Sequence, residues 1–299
     1  LNGKTITATV GNAASLLSRA TGNINLFDVR GELTIKGGDI KLKYEGEDMG
    51  WSYFSEIFYV GFNGKLTIED SMLENLGGTA MSYVVDMVNA TNTTVIIKNS
   101  TLKSTYIPFR VFNNAKNGVN NVTIENSTLE GKYAFWVQYY LGDGRDEATL
   151  ATNLNFDIFG NGNTYVSTAK PEAPIMYGFD AYYYFDGNGT PVIYDQAALA
   201  YAFGAYTSVK LGADINLDST LAVANGKTFT LDLNGKTISG LYVKSENSYV
   251  GLFGGTDYAY QIKNIHITNS YFEGDSSVGA IIGYAGSYIS GCSVSDSVT

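Results

Sequence analysis

The chain has 299 residues, a formal net charge of −10, 44% hydrophobic residues, 34 glycines and only 4 prolines. That length supports a sizeable core in one large or two ordinary domains, and the acidity argues against nucleic acid or anionic membrane as partner, since both reward clustered Lys and Arg. The single cysteine, Cys292, leaves no intrachain disulfide and no cysteine-built metal cluster, and no apolar run is long enough to insert in a membrane.

The chain opens on L-N-G-K-T-I-T-A (1–8), and the same words return as L-D-L-N-G-K-T-I-S-G (231–240). A weaker form recurs between and beyond them: LTIKGGDI (33–40), LTIEDSML (66–73), VIIKNSTL (95–102), VTIENSTL (122–129), LDLNGKTI (231–238), IHITNSYF (265–272) and CSVSDSVT (292–299). All but VIIKNSTL, which has Ile96 second, begin apolar, polar, apolar, polar, so the first and third side chains face one way along a strand. Starts at 33, 66, 95 and 122, then at 231, 265 and 292, bring a short strand and turn back at variable intervals of about 30 residues. Stacked parallel strands need such a return. Hairpins would recur at shorter, steadier spacing, and helical repeats need a 3.6 period that is missing.

The fold expected is therefore all-β, a parallel β-helix (solenoid) in two consecutive modules. At the fifth position of the phrase stand Gly37, Asp70, Asn99, Asn126, Gly235, Asn269 and Asp296. These residue types tolerate a left-handed turn, and Asn side chains stacked on successive strands can bond each other in a ladder. Asn99 and Asn126 also sit in N-S-T triplets, yet a column that accepts Asp and Gly favours the turn over a glycosylation acceptor.

Within the first module, V-D-M-V, F-R-V-F and F-W-V-Q direct Val85/Met87, Phe109/Val111 and Phe135/Val137 inward by alternation. Asp86, Arg110 and Trp136 then point outward on successive strands, an aromatic plate beside a cation and a carboxylate that suits a glycan. The loop G-D-G-R-D-E (142–147), with Asp143 and Arg145, follows and borders that face. Weighed against this, and favoured, is a plain structural reading: Asp86 and Arg110 as an ion pair, Trp136 as the cover of a loop. Loop acids such as Asp143, Asp146 and Glu147 are more often solvated than catalytic. The tyrosine-rich A-Y-Y-Y-F (181–185) either offers a glycan-facing surface or lines the junction between modules.

The turn-rich F-D-G-N-G-T-P (185–191) marks that junction, giving a first module over 1–187 and a second over 188–299. Asp195 can cap a short helix near 195–206, with Leu199, Ala202 and Phe203 on one face, covering the open end of the second coil. Because the chain starts in mid-phrase, the first module is expected to lack its N-terminal part and the second to be incomplete. The only histidine, His266, lies at an outward strand position with no acidic motif beside it, so it reads as a surface residue.

Residues 249–299, YVGLFGGTDYAYQIKNIHITNSYFEG and SVGAIIGYAGSYISGCSVSDSVT, resemble two successive GLUG-type repeats, which couple a V-G-x-x-G strand to an I-x-N-x-x-hydrophobic strand. The other phrases are similar to pectin-lyase-like β-helices in large surface proteins of gut bacteria. The GLUG likeness is confined to 249–299 and is not extended to the first module. The resemblance, together with parallel connectivity, implies a right-handed coil. It also implies an extracellular or cell-surface bacterial protein, a non-enzymatic adhesin, binding region or stalk that engages glycans or host surface molecules, without a cofactor. The alternative is a polysaccharide lyase or glycoside hydrolase of the same fold, although the G-H-G and R-I-K phrases of such hydrolases are absent.

Overall fold

A computed structural model describes the chain apart from residues 1–2, 11–23, 45–53, 78–80, 89–90, 114–118, 140–153, 178–182, 206–207, 218–229, 245, 247, 257–260, 264, 286–287 and 298. The protein is mostly β, with parallel sheets, and divides into two compact units, Leu1–Gly189 and Thr190–Thr299.

The first unit runs β1 (Lys4–Val10), β2 (Ile24–Val29), β3 (Glu32–Tyr44), β4 (Phe54–Val60), β5 (Lys65–Leu76), β6 (Met81–Val88), β7 (Thr94–Lys98) and β8 (Thr101–Ser104). It continues with β9 (Phe109–Asn113), β10 (Asn120–Glu125), β11 (Thr128–Gly131), β12 (Phe135–Tyr139), β13 (Leu154–Asp157), β14 (Thr164–Ser167), β15 (Ile175–Tyr177) and β16 (Tyr183–Phe185). One sheet stacks β1, β3 and β5, after which the ladder continues as two parallel series, β7-β10-β13 and β8-β11-β14. The other takes β2-β4-β6-β9-β12-β15-β16 in that order. All of these pairings are parallel except β15 with β16, where Ile175 faces Phe185 in an antiparallel pair.

The phrase alignment is the stacking register. Leu33, Leu66, Val95 and Val122 stand opposite one another on successive strands, as do Ile40, Leu73, Leu102 and Leu129. Except for partly covered Leu33 these side chains are buried, and so are Phe58, Val85, Phe109, Phe135 and their i+2 neighbours on the other sheet. Rings join the two inner faces: Phe109 packs on Phe135 at 4.9 Å, and Phe135 meets Phe156 of β13 edge-on at 6.0 Å.

All seven residues of the fifth-position column have positive φ, from 47° at Asn126 to 73° at Gly235. Asn99 Nδ2 donates to Asp70 Oδ1 at 3.1 Å, one step of the expected amide ladder. A second, more continuous ladder runs through the next column. Ser71 N–H donates to Ser100 Oγ, Ser100 N–H to Ser127 Oγ and Ser127 N–H to Asn163 Oδ1, each at 3.1 Å. Each serine hydroxyl in turn donates to the carbonyl two residues back: Glu69, Lys98 and Glu125. A left-handed corner turns the next amide out of the sheet ladder, and the serine above supplies the acceptor it would lack. On the outer surface Lys36–Glu69, Lys65–Glu32, Lys41–Glu74, Lys98–Glu125 and Lys103–Glu130 pair across neighbouring strands at 2.7–3.0 Å.

In the second unit the helix Gln196–Ala205 begins at Asp195, whose Oδ1 accepts the Ala198 amide at 2.8 Å. Leu199 and Ala202 pack into the core with Ile193, Val209 and Leu211; the Phe203 side chain lies outside the described residues. One alignment is corrected here. Ile267 stacks on Ile238 and Tyr271 on Tyr242, so IHITNSYF pairs with KTISGLYV (236–243) and not with LDLNGKTI. Gly240, φ 76°, therefore takes the turn column beneath Asn269, while Leu231 pairs with Val209 instead. Two left-handed corners lie five residues apart there, at Gly235 and Gly240, and the second stacks although its phrase opens on polar Lys236.

Further along the second unit, Ser248–Val250 pairs in parallel with Ser276–Val278, Val250 on Val278. Their glycines mark backbone contact: a Cβ on Gly251 would lie 2.4 Å from the Gly279 carbonyl oxygen, and one on Gly283 would lie 2.4 Å from the Tyr249 carbonyl carbon. His266 is exposed and bonds Ser293 Oγ on the next strand.

Candidate functional site

Asp86, Arg110 and Trp136 occupy one row across the second sheet of the first unit, as alternation requires. The row extends in register to Tyr59 and Asp28 on one side and to Met176 and Tyr184 on the other. It is not an exposed binding face; the reading favoured from sequence, Asp86 and Arg110 as an ion pair, is the one that forms. Asp86 is 0% exposed, and Arg110 and Trp136 are each 6% exposed. Trp136 and Met176 pack with Tyr83, Tyr106 and Ile107, backed by Met81, Tyr133 and Tyr184, in an outer layer separate from the main core. An open parallel sheet face would be wet; this one is covered by aromatic side chains from strands and the loops before them. Asp143 and Arg145 lie outside the described residues.

Arg110 and Asp86 form a two-point pair, Nε to Oδ1 at 2.8 Å and Nη2 to Oδ2 at 2.5 Å. The guanidinium carbon also sits 4.3 Å from the centre of the Tyr83 ring. Burial disfavours the Arg110 cation, but the charge and hydrogen bonds of Asp86 more than offset this and hold it above its ordinary value. Tyr83 is pushed up mainly by burial, partly countered by Arg110.

Sequence reasoning missed Glu56, which reaches the same cluster. Simple alternation puts it on the core side with Phe58, but the strands are distorted at this column. Val84 and Val85 both donate to the Pro108 carbonyl, at 3.0 and 2.9 Å, as in a β-bulge. Tyr83, the register partner of Glu56, thereby joins Asp86 and Arg110 on the outer side. Glu56 is 1% exposed, and neither carboxyl oxygen has a hydrogen-bond partner among the described residues. Burial first, then the neighbouring Asp86 charge, raise its pKa far above the usual carboxyl range, Arg110 offsetting only part. One signal marks the residue, though not its charge state: F-S-E-I-F-Y-V sets a single acid inside a largely apolar strand.

Outside this row the polar groups explain themselves structurally. Asn75 Nδ2 donates to the Ser55 and Tyr83 carbonyls at 2.9 and 2.8 Å, and its Oδ1 accepts the Gly77 amide at 3.1 Å, tying the corner between β5 and β6. No group of three or more metal-ligating side chains occurs among the described residues, and no helix is long and apolar enough to cross a membrane. No family model, no curated protein and no solved structure matches the chain.

Proposed function

We propose that the chain is a non-enzymatic binding or stalk segment of a bacterial surface protein, each unit a right-handed parallel β-helix and the second carrying GLUG-like repeats. What supports this reading is the run of side-chain columns: serine, asparagine and lysine–glutamate pairs link successive parallel strands of the first sheet. Such columns lend stiffness at every step and leave the outer residues free to contact a partner.

With the Trp136 row sealed, the adhesive surface is assigned to the second unit. There Tyr242, 61% exposed, stacks on Tyr271 at 4.9 Å beside the Lys244–Glu273 pair. Flat rings with charged and hydroxyl groups at their edges suit a neutral sugar. A glycan array probed with the 299-residue chain and with Tyr242→Ala tests it. Binding that the substitution reduces several-fold is expected; binding indifferent to Tyr242 removes this surface, and no binding at all leaves a mechanical stalk.

The enzymatic alternative draws on one observation, that two buried carboxyl groups, Glu56 and Asp86, share one cluster, since paired carboxyl groups can divide acid and base roles. Both are buried beneath the aromatic layer, and Asp86 is already engaged by Arg110. The chain should therefore release no unsaturated or reducing ends from pectin, alginate or other uronic-acid polymers, with or without Ca²⁺. Release abolished by Glu56→Gln or Asp86→Asn would establish the enzyme instead.

A further inference from the structure

We infer that Glu56 carries a proton at neutral pH and donates it in a hydrogen bond to Asp86, so that Glu56, Asp86 and Arg110 form an electroneutral, proton-dependent seal over the outer face of the second sheet. Two observations support it. Glu56 is 1% exposed with both oxygens unpartnered among the described residues. An ionised carboxylate in that state is costly to bury, whereas a neutral acid needs only one acceptor. The Asp86 carboxylate, the charge acting most strongly on Glu56, supplies that acceptor: Arg110 takes one lone pair of each of its oxygens, and others remain for a proton from Glu56.

Charge counting agrees. Arg110 balances one carboxylate, not two, and Asp28 of β2 adds negative charge while Arg30 is engaged by it at 2.7 Å. The other ionisable groups facing Glu56 are Tyr59 on its own strand and Tyr83 on β6, both raised chiefly by burial and so neutral. A metal ion is the poorer explanation of the empty oxygens, because the Arg110 cation already sits against Asp86.

The linkage has a definite sign. The folded-state value of Glu56 lies above its unfolded value, so the stability it contributes is fully present below the unfolded value and is lost as pH rises toward the folded one. Across that window the folding equilibrium constant falls by up to tenfold per pH unit. Beyond it, Glu56 and Asp86 are both ionised beside one arginine, and the layer holding Tyr83, Tyr106 and Trp136 loses its neutral base.

The test compares the full chain with Glu56→Gln, which keeps the shape and a donor but cannot ionise. Urea unfolding between pH 5 and pH 9 should give a parent-to-variant stability ratio that falls with pH; a ratio constant across that range overturns the inference. Infrared spectra of the parent at pH 7 supply a second readout that survives a misfolded variant: a protonated-carboxyl band is expected, and its absence refutes the proposal. A rise in melting temperature with Ca²⁺ that Glu56→Gln abolishes would replace the proton with a metal.

Discussion

Replacing Ser100 by alanine probes the turn ladder at its centre. Ser100 is 4% exposed; its hydroxyl donates to the Lys98 carbonyl at 2.6 Å and accepts the Ser71 amide at 3.1 Å. Alanine keeps the backbone and the fold of the corner but takes away the acceptor of a nearly buried amide, Ser71 being 6% exposed. An orphaned buried donor costs about 1–3 kcal/mol and a lost net hydrogen bond about 0.5–1.5 kcal/mol, so Ser100→Ala should destabilise the first unit by about 1.5–4.5 kcal/mol. Ser71→Ala is the internal control. Its hydroxyl donates to the Glu69 carbonyl, but among the described residues no amide donates to it, so only the smaller loss applies. Urea denaturation of both variants reads the difference, with the slope m unchanged if the native surface is intact. Equal losses for Ser100→Ala and Ser71→Ala, or no loss for either, would refute the claim that the ladder acceptor carries the stabilisation.

Trp136→Ala should cost about 3–5 kcal/mol, as for other buried aromatics, and leave any glycan binding untouched, which calorimetry against an array hit would check. Gly283→Ala should lower the melting temperature of the second unit by several degrees, because its Cβ would collide with the Tyr249 backbone at 2.4 Å; an unchanged melting curve would show that the backbone there yields freely.

The strand phrase and its left-handed fifth residue were legible from sequence, because alternation and turn chemistry are local. A residue such as Asn126 takes φ 47° for reasons contained within a few neighbours. Recurrence at intervals then implied the parallel stacking that the register of Leu66, Val95 and Val122 displays. The pattern chose LDLNGKTI over KTISGLYV, whose first position is Lys236, and only the pairing of Ile238 with Ile267 shows that the second phase is the one that stacks.

Alternation also put Asp86, Arg110 and Trp136 in one row on the outer side of their sheet, yet it could not tell whether that side is wet. Covering depends on Tyr83, Tyr106, Met176 and Tyr184, which lie tens of residues apart and meet only when the strands stack. Glu56 escaped for a related reason: the bulge at Val84 and Val85 breaks the period of two, which a strand pattern assumes to be constant. A period fixes which side of the sheet a side chain takes, whereas its solvation is set by every segment packed on that side, and so the charge states of Glu56, Asp86 and Arg110 belong to the tertiary structure alone.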